Sequence, residues 1–249
     1  MTVTKPFAVL TLLVLAAGLS ACGDKQEASA PAANIAAGKD IPPPAGKQWS
    51  DVVAITPEMG VAMGNAQAPA KLIEYGSYTC SHCADFTAEA AEPLRKMVNS
   101  GRLSYEYRSF LRDPYDLMMA LLARCGGADP FFPLTEQLFA NQKDFFAKAQ
   151  AIDPKFTESA VKQPPEQRFV TLAGPTGLLD FVKQRGISED KAKQCLADAK
   201  TADALVNKAQ EGGKQYTITG TPTFILNGAV VEGAASWELL RPKLSEAGL

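Results

Sequence analysis

The sequence predicts an α/β fold: a strand–helix–strand half and a C-terminal strand–strand–helix half, with a helical insertion between them. Three observations predict it. Lys71-Leu72-Ile73-Glu74-Tyr75-Gly76 reads as a buried strand, and from Ala84 apolar residues recur at helical spacing through Phe86, Ala90, Leu94 and Met97-Val98. Residues 114–211 carry helix-like segments broken by Gly and Pro. Thr223-Phe224-Ile225-Leu226 is an apolar strand that meets Asn227-Gly228, the strongest short hairpin signal.

Residues 1–21 read as a signal peptide. Lys5 is a short positive region, and Phe7 to Leu19 is an apolar run shorter than the ~20 residues of a spanning helix. Leu19-Ser20-Ala21-Cys22 resembles a bacterial lipobox, in which Cys22 becomes the lipidated first residue of the mature chain; an uncleaved anchor is the alternative. Residues 22–48 follow as a lipidated, disordered tether. They are rich in Ala, Pro and Gly and almost without large apolar residues, so they are not expected to pack.

The globular domain is expected over 49–249. Residues 51–55 form a short candidate strand. The helix after residue 80 carries Pro93, which is expected to bend or break it, and Asn99-Ser100-Gly101 stops it. Residues 103–108 alternate and read as a strand, closing a βαβ unit that is right-handed by rule. Asp113-Pro114 opens the insertion, about 114–213, with helical segments at 114–125, 131–147, 165–173, 176–185 and 188–211. In the last of these, Ala192, Cys195, Ala199, Ala202, Val206 and Ala209 share one face, and Gly212-Gly213 ends it. Residues 229–233 pair back on 223–226. Ser236 caps a final helix to about Ala247, with Pro242 in its first turns.

The chemistry lies in Cys80-Ser81-His82-Cys83, between the strand and the helix. The free N–H groups of a helix start face the first sulfur there and favour thiolate over thiol. His82, the only histidine, adds a donor or a cation. Cys83 is placed to resolve the mixed disulfide that Cys80 forms. A structural zinc needs four ligands, and the other cysteines, Cys22, Cys125 and Cys195, are isolated, so no metal is expected. With net charge −2 and 21% charged residues, no basic field points to nucleic acid.

Strand, C-x-H-C, helix, strand, helical insertion, Gly220-Thr221-Pro222-Thr223-Phe224, Asn-Gly hairpin and final helix resemble, over about residues 52–246, the DsbA-like branch of the thioredoxin superfamily. Asp113-Pro114 and Leu122-Ala123-Arg124-Cys125 belong to the same pattern. The resemblance implies a thioredoxin fold with Cys80 as exposed nucleophile, Cys83 as buried partner and His82 stabilising the thiolate. It implies a cis-proline at Pro222 facing the disulfide, and substrate backbone pairing at Thr221. Glu74, six residues before Cys80, matches a buried acid of many relatives; its other reading is a surface carboxylate on the strand's polar side. Cys125 and Cys195 are the thiols left once the other three have roles. They are expected to form a structural disulfide closing a loop of about 70 residues, worth roughly 4 kcal/mol in the entropy model, with two buried free thiols as the alternative.

The function these features imply is thiol–disulfide exchange in the bacterial cell envelope, on the periplasmic side, anchored to a membrane by lipid. The substrates would be cysteine-containing exported proteins, with a membrane or periplasmic redox partner and no organic cofactor. Stabilising the thiolate stabilises the reduced protein, so the disulfide is expected to act as an oxidant. A reductase or isomerase, and a non-catalytic binding or chaperone module, are the alternatives.

Overall fold

The computed structural model describes residues 1–2 and 38–249; Cys22, the apolar leader and most of the expected tether lie outside them. Among the described residues one six-stranded sheet runs in the order β1-β2-β4-β3-β5-β6. The strands are β1 (Val53–Ile55), β2 (Val61–Gly64), β3 (Ala70–Gly76), β4 (Leu103–Ser109), β5 (Thr223–Leu226) and β6 (Ala229–Val230). β3 pairs parallel with β4 and antiparallel with β5, so it lies inside the sheet. The mixed sheet, the βαβ half and the C-terminal ββα half make the α/β fold that the sequence predicts, with the helices of the insertion between them.

Helix α1 (Ser81–Asn99) runs without interruption through Pro93, so the proline does not break it. Proline deprives the Glu89 carbonyl of its partner, and Glu89 is exposed, where water can take that bond. α1 packs on the face of the sheet carrying Leu72, Glu74 and Phe224; the Phe86 and Phe224 rings lie 4.6 Å apart. The Asn227-Gly228 turn has φ of 49° and 86°, as a hairpin of this type requires. α10 (Trp237–Glu246) is capped by Ser236 and carries Pro242 inside.

The insertion holds eight helices: α2 (Pro114–Arg124), α3 (Phe131–Ala140), α4 (Gln142–Gln150), α5 (Pro154–Val161), α6 (Pro165–Ala173), α7 (Leu178–Lys183), α8 (Glu189–Leu196) and α9 (Ala199–Gln215). The single segment expected at 131–147 is two helices that meet at Asn141, and 188–211 is two that meet at Ala197-Asp198, where Asp198 caps α9. Two elements are absent from the sequence reading. β2 is four residues long, too short for an alternating pattern to stand out between Gly60 and Gly64-Asn65. α5 has the same Asp-Pro start as α2, at Asp153-Pro154.

Gly212 does not end a helix. α9 continues to Gln215, and a Cβ at 212 would lie 2.2 Å from the Tyr75 hydroxyl, so the glycine lets α9 lie directly on the second face of the sheet. The end of the segment expected as a tether, from Ile41, is bonded to the domain. Ile41 N–H donates to Ser100 O at 2.8 Å, and Trp49 Nε1 donates to Ile41 O at 2.7 Å. The Ile41 backbone thus docks the segment at the α1–β4 corner.

A disulfide joins Cys125, at the end of α2, to Cys195 in α8, across 70 residues. Replacing both cysteines with alanine should lower unfolding stability by about 3 kcal/mol, less than the chain-entropy value because denatured chains retain structure. Denaturant titration of the double variant checks this; an unchanged midpoint would show that packing alone holds α2 to α8.

Candidate active site

The loop Ser77–Cys80 carries the chain from β3 into α1, with Cys80 at the N-cap position. Cys80 retains 5% of its surface and Cys83 none. Cys80 is thus less exposed than expected, because the Thr221 segment lies on it: Sγ is 3.2 Å from Thr221 O. The Thr221–Pro222 peptide bond is cis. Both cysteines are free thiols, the reduced form of the pair.

The Cys80 thiol is lowered from 9.0 to about 4. The largest cause is the Cys83 thiol, which donates to the Cys80 sulfur; the Thr221 hydroxyl and the backbone N–H groups of Cys83 and His82 add to it, and burial opposes them. Thr221 acts in both directions. Its hydroxyl serves the thiolate, whereas its carbonyl accepts only from the protonated thiol. Burial pushes the Cys83 thiol far up, followed by its donation to Cys80 and the nearby Glu74 carboxyl.

His82 contributes differently from the sequence expectation. Its ring is exposed and, among the described residues, has no hydrogen-bond partner, while its backbone N–H faces the sulfur. Position 82 is the second residue of the helix, where the amide is free of the helical ladder. His82→Ala should therefore shift the Cys80 midpoint by well under one pH unit. His82→Pro removes the donor, at a position in the first turn where proline is tolerated, and should raise the midpoint by about one unit. Thiolate absorbance against pH reads both; the reverse order would restore the role of the ring.

Glu74 is the buried acid of its two readings: it is 1% exposed and accepts a bond from Tyr105 Oη. Arg108 faces the other way, bonded to Glu106 at 2.8 Å and to Tyr75 Oη at 3.2 Å. Burial raises the Glu74 carboxyl to about 8, although the Tyr105 bond opposes this. Below pH 4.5 the carboxyl is protonated whether folded or not. Between 4.5 and 8 only the unfolded chain ionises, so Glu74 lowers stability as pH rises. Relative to wild type, Glu74→Gln should gain about 3 kcal/mol between pH 4 and pH 7. Urea unfolding at both values measures it, and parallel pH dependences would contradict it.

Two residues that the sequence reading missed hold the loop. Asp116 in α2 is fully buried. Its Oδ2 accepts from Ser77 Oγ at 2.7 Å, Thr79 Oγ1 at 2.8 Å and Arg112 N at 3.0 Å, and its Oδ1 accepts from Thr79 N at 3.2 Å. Ser77 N in turn faces Cys83 Sγ at 3.5 Å. Gln142, buried at the start of α4, donates through Nε2 to Tyr78 O at 2.8 Å and Cys80 O at 2.9 Å. Gln142 follows directly on Asn141, where α3 ends and α4 begins. Asp116 lies two residues beyond Asp113-Pro114, but nothing local distinguishes it from a surface acid of a first turn.

A family model described as thioredoxin matches residues 56–245. A curated protein of Rickettsia bellii, provisionally named a protein-disulfide oxidoreductase, is 26% identical over 176 residues, 70% of this chain and 60% of its own length; the chain thus spans less than two thirds of that relative. The crystal structure of a protein-disulfide isomerase from Novosphingobium aromaticivorans superposes with a TM-score of 0.71 at 29% identity, covering 76% of this chain and 97% of that one. Wolbachia pipientis alpha-DsbA1 shares the fold, with a TM-score of 0.58 at 21% identity over 75% of this chain and 90% of its own.

Proposed function

The chain belongs to the thioredoxin family, and from that premise we propose that it is a thiol–disulfide oxidoreductase of the cell envelope that oxidises cysteine pairs in exported proteins. One observation carries the reading: Cys80 stands at the N-cap of α1 against the cis-Pro222 segment, with Cys83 fully buried beneath it, an arrangement that lowers the Cys80 pKa and raises that of Cys83. A substrate thiolate attacks Cys80 Sγ of the protein disulfide, forming the mixed disulfide and expelling the Cys83 sulfur. Cys83 then needs a proton. Glu74, neutral at pH 7 and electrostatically coupled to Cys83, is the acid at hand. The second substrate thiolate attacks the substrate sulfur of the mixed disulfide and expels Cys80 as thiolate, the better leaving group of the pair. The substrate loses two electrons and the protein disulfide gains them.

At pH 7 a thiol with a pKa of about 4 favours the reduced protein by about three units, roughly 4 kcal/mol. Screening by the solvent that reaches the sulfur reduces this to about 2–3 kcal/mol. At 30 mV per 1.4 kcal/mol the couple rises by roughly 40–65 mV above a thioredoxin-like −270 mV. Equilibration against glutathione tests the oxidase reading, which a potential at or below −270 mV would reject. The name of the Novosphingobium structure favours isomerisation as a second reading. Refolding of a scrambled-disulfide protein by the reduced form separates the two.

The location rests on Leu19-Ser20-Ala21-Cys22 and the apolar run before it. On this reading Cys22 bears the lipid of an envelope anchor, and a membrane or periplasmic protein reoxidises Cys80–Cys83. Mass spectrometry of membrane-extracted protein should find diacylglycerol on Cys22; a cut elsewhere would reject the anchor.

A further inference from the structure

We propose that a groove between the β4–α2 connection and helices α6 and α9 binds a stretch of the polypeptide under exchange, one in which apolar residues stand beside acidic ones. The inference rests on the proposed redox function and adds to it a substrate class. The groove encloses about 570 Å³, within the range of ligand-binding clefts. Its walls include Phe110, Leu117, Phe169 and Ile218, so water gains little by filling it.

Three of the four charged residues that line it are cationic. Arg112, Arg168 and Lys214 line the groove, and none of them enters an ion pair among the described residues. Asp113, the acid that lines it, is occupied as the N-cap of α2, accepting from the amides of Tyr115 and Asp116. Arg168 Nε is buried without a partner, and its Nη2 reaches only Gln163 O, at 3.4 Å. A ligand with carboxylates at the edges and apolar groups in the centre complements this surface.

Position identifies the ligand as polypeptide. Arg112 Nη1 lies 3.3 Å from Thr79 O, the residue before Cys80. Ile218 stands three residues before Thr221, whose carbonyl touches the Cys80 sulfur. The groove therefore borders both segments that bracket the reactive sulfur. A chain whose cysteine is bonded to Cys80 can pass here; Ile218 also borders the depression of about 500 Å³ formed by residues 216–224 and 230–235.

The test uses full-length reduced protein and two fluorescent peptides lacking cysteine, each with a Leu-Phe pair flanked by aspartates in one and lysines in the other. Anisotropy should show the acidic peptide binding about 10-fold more tightly, and Arg168→Glu/Lys214→Glu should reverse the preference. Lys214→Glu alone, at an exposed position, should halve the preference or more without a burden on folding. With a cysteine added, the acidic peptide should reduce the Cys80–Cys83 disulfide faster by a similar factor, while glutathione reacts equally with wild type and variants. Equal binding of the two peptides, a preference that survives charge reversal, or a fatty acid that binds where the acidic peptide does not would each overturn the proposal. Failure of glutathione to react with any of the proteins would reject the redox function instead, and the cysteine-free peptides would still decide the groove.

Discussion

Cys80→Ser is expected to abolish disulfide exchange, by more than about 1,000-fold, whereas Cys83→Ser should react once and stop at a mixed disulfide. The difference follows from the two sulfurs' surroundings. Cys80 keeps the sliver of surface in the pair and meets the donors that hold a thiolate; Cys83 is sealed under the helix and protonated. A hydroxyl at position 80 remains neutral at any pH the protein survives, so neither attack on a disulfide nor departure from one is open to it. The wild-type thiolate should titrate near pH 4, with reactivity toward an alkylating probe flat from pH 6 to 8. Because the folded pKa lies below that of a free thiol, the resulting stabilisation of the reduced protein is complete above about pH 9 and is lost as pH falls through 4. A trapped adduct on Cys83 in the Cys80→Ser protein would reverse the assignment of roles.

Asp116→Ala is expected to lower stability by about 5 kcal/mol and to slow exchange in whatever fraction still folds. The carboxylate has no solvent contact and accepts from four donors, three of them on one oxygen. Removing it leaves buried hydroxyls and amides unpaired, at about 1–3 kcal/mol each before relaxation. Burial raises the Asp116 carboxyl while its hydrogen bonds hold it down. Asp116→Asn keeps the shape but puts a donor where one oxygen accepted, so it should cost about 2 kcal/mol and remain folded. In that variant the Cys80 midpoint should move, since the loop that aims the sulfur at the helix start has lost part of its hold. An Asn variant with normal stability and an unmoved midpoint would show that Asp116 does not hold the loop.

The parts of this molecule that were legible in the sequence are those written locally. The strand into Cys80, the helix after it, the Asp113-Pro114 start and the Asn227-Gly228 turn all follow from neighbours within a few residues, and the structure has each of them. What failed depends on residues far apart in the chain. Gly212-Gly213 reads as a stop signal, but its use is set by Tyr75, 137 residues earlier (212 − 75). The local sequence leaves Glu74 open between a buried acid and a surface carboxylate; its partner, Tyr105, comes from the neighbouring strand, while Arg108 of that strand points to the opposite face. The His82 amide is a local exception: it faces the sulfur two residues away because it lies in the first turn of the helix, where the backbone donor is free. Asp116 and Gln142 were invisible because a polar residue's burial is decided by what folds over it.

The double hold on the Ser77–Cys80 loop bears on how this architecture can be divided. Asp116 and Gln142 come from two helices of the insertion, yet all their bonds described above end on the strand–helix corner or on Arg112 beside it. The insertion is thus not a module set on a finished scaffold. Excising residues 114–213 and closing the gap would release the corner from both holds and open Tyr78 and Tyr107, which pack on Phe131 and Phe139 of the insertion, to water, so the sheet with its two flanking helices would not form a smaller working protein. The two halves that look separable along the chain are one unit at the sulfur.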